Sequence, residues 1–166
     1  MTTERRHPNI VNRDELQPME MKKGKHHVVG RRFGPAAGNR QIGGTLVELA
    51  PGAISYPFHY HCMNEETIYV ISGTGTARIG DQRVKIRAGD WIAYPVGPEH
   101  AHQMINDGSE PLVYLTIATA HKCEVVGYPD SKKVAALAGE TFEKPWIRQV
   151  WRAGETLDYW EGEPEA

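Results

Sequence analysis

The sequence predicts an all-β barrel, and three observations carry that prediction. From His26 onward the chain is a series of short apolar runs broken by glycine and proline. One run, Arg83-Val84-Lys85-Ile86-Arg87, alternates strictly, which places Val84 and Ile86 inward and the basic residues on a solvated face. Turn signals fall where a meander or jelly roll needs them. Ser72-Gly73-Thr74-Gly75 and Ile79-Gly80-Asp81-Gln82 suit hairpins, Arg87-Ala88-Gly89-Asp90 redirects the chain, and Asn106-Asp107-Gly108-Ser109 closes a later strand.

Taken in order, residues 1–25 are polar, contain Pro8, Pro18 and the cluster Lys22-Lys23-Gly24-Lys25, and read as an N-terminal arm with at most one short element. Residues 26–128 form the barrel. Its strand candidates are Val28-Val29, Thr45 to Ala50, Thr67 to Ser72, Thr76 to Ile79, Arg83 to Arg87, Trp91 to Tyr94, Ala101 to Ile105 and Leu112 to Ala120. Residues 129–166 form a C-terminal extension, with a short helix expected over Ser131 to Ala138. The extension holds Trp146, Trp151, Tyr159 and Trp160, and such rings usually bury large areas, so it is expected to pack on the barrel or on a partner subunit.

A chain of 166 residues with 40% hydrophobic content suits one core. Net charge of −2, with lysines and arginines scattered, argues against a nucleic-acid partner. No apolar stretch follows the paired Arg5-Arg6, so no signal peptide is expected, and the run from Leu112 to Ala120 is too short to span a bilayer. A cytoplasmic protein without a membrane partner is the expectation. The two cysteines, Cys62 and Cys123, do not make a disulfide framework; Cys62 reads as a reduced small apolar residue and His121-Lys122-Cys123 as structural or exposed.

Chemistry concentrates between Gly52 and Gly73. His59 and His61 share strand parity, so both imidazoles can reach one ion while Tyr60 turns away. A carboxylate brought back by the following turn adds an anionic ligand, and Glu66 is that residue, with Glu65 left in the loop or on the opposite face. A mixed nitrogen and oxygen set suits a divalent ion of iron, manganese, zinc, nickel or copper. From Gly89 a second segment presents Pro95, Gly97, His100, His102 and Asn106.

These two segments resemble the motifs of the cupin superfamily. The first motif is matched from His59 through His61 and Glu66 to Gly73, with one extra residue between Gly52 and His59. The second is matched from Gly89 through Pro95 and Gly97, after which His100 keeps the distance from Gly97 and His102 keeps the distance to Asn106. The Pro95 to Glu99 corner, with its two prolines, can lengthen the turn, so His102 is favoured as the ligand and His100 is the alternative. The run from His102 to Leu112, with Val126-Gly127-Tyr128-Pro129 later, is similar to small single-domain bacterial cupins.

The resemblance implies a double-stranded β-helix, or jelly-roll, barrel and a homodimer. Three imidazoles and a carboxylate leave coordination positions open for a chelating small molecule. The functional expectation is therefore a small metal-dependent enzyme of dioxygenase, isomerase or decarboxylase/lyase type. The alternative is a noncatalytic small-molecule-binding module. Met104, which shares parity with His102, and Tyr94 are the pocket candidates; Tyr56, Tyr60 and Glu99 read first as packing or surface. Arg148 and Arg152 could reach the cavity only if the extension acts as a lid.

Overall fold

The computed structural model describes residues 6–141 and 144–164. Thirteen strands are present among them: β1 (Met19–Lys23), β2 (His26–Arg32), β3 (Ile42–Leu49), β4 (Tyr60–His61), β5 (Glu66–Ser72), β6 (Thr74–Ile79), β7 (Gln82–Arg87), β8 (Trp91–Tyr94), β9 (His102–Ile105), β10 (Leu112–Thr119), β11 (Cys123–Tyr128), β12 (Lys133–Thr141) and β13 (Lys144–Arg152). One single-turn helix, α1 (Phe33–Ala36), interrupts them. The strands form a six-stranded sheet in the order β1-β2-β3-β10-β5-β8, a three-stranded sheet β7-β6-β9, and a four-stranded sheet β13-β12-β11-β4. Every strand pairing within these sheets is antiparallel.

The core follows from strand alternation. Val47 and Leu49 on β3, Ile68 and Val70 on β5, and Leu112 and Tyr114 on β10 share one face of the large sheet. They meet Ala77, Ile86 and Met104 from the three-stranded sheet. Two apolar faces closing on each other make the barrel interior, and its stability rests on the water-excluded area of these side chains. Asn106, fully buried, ties the closing turn: its side-chain amide donates to the Leu49 and Glu110 carbonyls at 2.7 and 2.9 Å and its oxygen accepts from Gly108 N at 3.0 Å.

Several local expectations change. The Ile79-Gly80-Asp81-Gln82 turn is a hairpin, with Ile79 paired to Gln82. The Ser72-Gly73-Thr74 turn is not, because β5 pairs with β10 and β8 whereas β6 pairs with β7 and β9. It is the corner at which the chain changes sheet. Gly73 makes that corner with φ of 84°, and a Cβ there would collide with the Pro111 carbonyl. Val84 remains 44% exposed although its partner Ala77 is fully buried, because β7 is an edge strand with no neighbour on its outer side.

The extension departs most from expectation. Residues 133–138 are strand rather than helix: β12 pairs with β11 on one side and β13 on the other, and two hydrogen-bonded ladders outweigh the helical preference of the alanine-rich run. Lys132, at φ 49°, supplies the left-handed turn that starts it. Trp146, Tyr159 and Trp160 are exposed rather than packed on the barrel, and Trp151 is only partly covered. The arm, by contrast, is anchored, since β1 pairs along its whole length with β2.

Candidate metal centre

Local backbone pairing puts the histidines together. His59 and His102 form an isolated antiparallel bridge and exchange both backbone hydrogen bonds, His59 N to His102 O at 3.2 Å and His102 N to His59 O at 2.7 Å. Directly opposed residues project to the same side, so their rings lie 4.6 Å apart between centroids. His61, two residues on, returns to that face with its ring 5.0 Å from His59. One ring nitrogen from each of His59, His61 and His102 lies within 4.8 Å of the others, close enough to hold one metal ion.

Glu66, the first residue of β5, points into this group. Its carboxylate oxygens lie 3.8 Å from His61 Nε2 and 3.6 Å from His102 Nε2. His61 Nδ1 and Nε2 and His102 Nε2 are buried without a hydrogen-bond partner. Buried polar nitrogens left unpaired cost stability, and a cation at the centre would satisfy the two Nε2 atoms, so the residues fit a divalent ion. His100 lies outside the group. It sits in a short 3-10 turn, Pro98–His100, half exposed beside Glu99, while its carbonyl accepts from the buried His102 ring. The strand resumes at His102, directly after this turn and Ala101.

The surroundings hold the His59 imidazole neutral and the Glu66 carboxylate charged. Burial, reinforced by the nearby His102 and His61 rings, lowers the His59 pKa to about 4. Burial works to raise Glu66, yet the facing His102 ring, with His61 and His59 behind it, outweighs burial and leaves the carboxyl below its usual range. Tyr56 and Tyr94 are both raised, mainly by burial and then by Glu66, so each phenol stays protonated as a potential donor.

Tyr94 stacks under His102 at 3.9 Å between centroids, and its hydroxyl donates to Met104 Sδ at 3.5 Å. Both residues are almost fully buried. They form the packed floor beneath the cluster. Two residues that the sequence reading did not place at the site also border it. The Tyr128 ring faces His59 at 6.1 Å, and the Glu124 carboxylate lies 3.4 Å from His61 Nδ1. Both come from β11, whose signal, the β-branched pair Val125-Val126 before Tyr128-Pro129, is present but short.

The family comparison agrees with this geometry. The family model described as Cupin domain matches residues 45–118, the stretch that contains every motif residue from His59 to Asn106. Residues 45–118 are a cupin domain. Among solved structures, a candidate sugar phosphate isomerase from Acidithiobacillus ferrooxidans is similar at 27% identity and TM-score 0.75, covering 87% of this chain and 92% of its own. A sugar phosphate isomerase of the cupin superfamily from Silicibacter pomeroyi is 24% identical with TM-score 0.76, over 90% of this chain and 97% of that one. A predicted oxalate decarboxylase from Thermotoga maritima shares the fold at 23% identity and TM-score 0.59, over 66% of this chain and 97% of that one. Among curated proteins there is no significant match. No helix among the described residues is long and apolar enough to cross a membrane.

Proposed function

We propose that this cupin domain is a metal-dependent enzyme acting on a small polar molecule that chelates the ion through adjacent oxygens. The observation that carries the reading is the convergence of one ring nitrogen from each of His59, His61 and His102 within 4.8 Å, with the Glu66 carboxylate alongside. A divalent ion bound there would supply Lewis acidity towards a hydroxy-carbonyl or carboxylate group. The protein's own part is to hold three imidazoles and an ionised carboxylate in place and to exclude water from below with Tyr94 and Met104. Tyr56, protonated and electrostatically coupled to Glu66, offers a hydrogen bond to a ligand oxygen.

Among the reaction classes open to this ligand set, isomerisation of a phosphorylated sugar has the most support. It rests on the candidate sugar phosphate isomerase, whose likeness extends over nearly the whole chain. Metal analysis of protein purified without added metal, followed by screening of sugar phosphates, hydroxy acids and oxygen uptake, tests the reading. Turnover should vanish on chelation and return with one preferred divalent ion. A ligand that binds the metal-loaded protein tightly yet emerges unchanged, with or without oxygen, would instead make the domain a noncatalytic binding module.

The ligand set carries its own test. His59→Ala, His61→Ala and His102→Ala should each lower metal affinity tenfold or more, since each removes a coordination bond. His100→Gln should leave affinity within a factor of about two, because its ring lies outside the cluster. Equal losses from His100 and His102 substitutions would overturn this ligand assignment.

A further inference from the structure

We propose that Glu124 is a positioning residue that fixes the His61 ring in its Nδ1–H tautomer, and so leaves Nε2 free to face the metal. The proposal rests on the metal-site reading above. Each of the three clustered imidazoles has its Nδ1 against an oxygen that can only accept. His59 Nδ1 lies 2.8 Å from the Pro57 carbonyl and His102 Nδ1 lies 3.0 Å from the His100 carbonyl. An acceptor beside Nδ1 requires the proton there, which commits the lone pair to Nε2. At His61, whose Nδ1 makes no hydrogen bond, the facing oxygen is Glu124 Oε2 at 3.4 Å, an electrostatic contact that favours the proton on Nδ1. His61 is therefore the one of the three whose ring is oriented by a side chain, and by an anion.

Glu124 is itself held rigidly. It is buried, with Oε1 accepting from Cys62 N and Met63 N at 3.1 Å and from Val125 N at 2.9 Å, while Oε2 accepts from Asn64 N at 2.8 Å. The Val126 to His61 pairing of β11 with β4 brings the carboxylate to this point. Three of the four amides it gathers, those of Cys62, Met63 and Asn64, belong to the loop between His61 and Glu66, so one side chain orients one proposed ligand and steadies the path to the next. Carboxylates placed behind a ligating histidine typically change metal affinity 10–100-fold when removed. Together, Glu66 and Glu124 place two carboxylates around the three rings, a set suited to a divalent ion.

The discriminating variant is Glu124→Gln. A glutamine oxygen in the place of Oε1 can still accept from Cys62 N, Met63 N and Val125 N, while the NH2 group in the place of Oε2 gives up the Asn64 amide, would donate towards His61 Nδ1 and would favour the opposite tautomer. Imidazole nitrogen chemical shifts from ¹⁵N-histidine-labelled, metal-free protein, recorded above the imidazole titration range, should show His61 as Nδ1–H in the unsubstituted chain. In Glu124→Gln the His61 signal should move to Nε2–H or to a mixture, while His59 and His102 keep theirs. Zn²⁺ affinity, measured by competition with a chromophoric chelator, should fall about 10–100-fold in the same variant, with β-sheet circular dichroism unchanged. Glu124→Ala is the harsher companion and is read the same way if it folds. An unchanged His61 tautomer in Glu124→Gln overturns the proposal, whatever happens to Zn²⁺. Failure of the unsubstituted protein to bind Zn²⁺ or other divalent ions would sink the functional reading alone, because the tautomer measurement needs no metal.

Discussion

At the scale of single residues, Arg78 shows how the barrel and the C-terminal strands are joined. Its guanidinium lies 3.5 Å above the Phe58 ring and grips both oxygens of Asp130 at 2.6 and 2.9 Å. Hydrogen bonding from Arg78 holds the Asp130 carboxyl below its usual range. The pair's stabilisation is therefore fully present above the unfolded aspartate value, about 3.9, and is lost as pH falls through the lower folded value. Because Asp130 is largely exposed, a double-mutant cycle at neutral pH should give a coupling of only about 0.5 kcal/mol, and repeating the cycle in acid should abolish it. Asn106 is the opposite case. The spacing of the second motif marks it in the sequence, but nothing in the spacing says that it serves the fold by pairing three backbone groups. Asn106→Ala should cost about 1–3 kcal/mol in urea titration, since buried backbone groups lose their partners, while metal affinity of the folded protein stays within about twofold. His59 and His61 were legible as a pair because parity encodes the face they share, while Glu66 and His102 were legible only through the resemblance to the cupin motifs. Glu124 was not, since it meets its nearest loop partner, Cys62, across 62 positions of chain, and no local period records so distant a meeting.

At the scale of elements, the barrel strands were legible wherever apolar runs were bounded by glycine or proline. The errors fall where pairing, rather than local preference, decides. Lys133 to Ala138 is alanine-rich and helix-compatible, yet it lies between two strands that fix it as β12. The Gly73 turn carries hairpin residues, yet its flanking strands belong to different sheets. Gly73→Ala should therefore be poorly tolerated: a Cβ at that positive φ meets the Pro111 backbone, which cannot swing aside as a flexible side chain would. A loss of about 1–3 kcal/mol is expected, seen as a lower urea midpoint with an unchanged slope. Gly127 is a second close approach, where an added Cβ would run into the Tyr60 ring across the β11 and β4 pairing. Gly127→Ala should destabilise by about 1–3 kcal/mol, and Tyr60→Ala should restore part of the loss in the double variant if that collision is the cause.

For the whole molecule, the division between framework and site predicts how metal and folding are linked. The core is a continuous apolar layer that includes none of the proposed ligands, so chelation should leave the β-sheet circular dichroism intact. Free metal at a hundred times its dissociation constant should then add about 2.7 kcal/mol to unfolding stability, measured as a rise in thermal midpoint that tracks metal concentration. A homodimer, the assembly expected from the cupin likeness, would be read by sedimentation. The exposed tryptophans bear on both measurements. Trp91, Trp146, Trp151 and Trp160 are at least 39% exposed in the single chain, whereas the large aromatic side chains sealed in the core are Tyr94 and Tyr114. Intrinsic tryptophan fluorescence is consequently blind to the interior: in a monomer its emission should already resemble that of free indole in water and barely move when the barrel melts. The same signal becomes a reporter of covering. A blue shift that grows with protein concentration would announce that another surface has closed over the β13 tryptophans, while melting of the core itself must be followed through tyrosine absorbance.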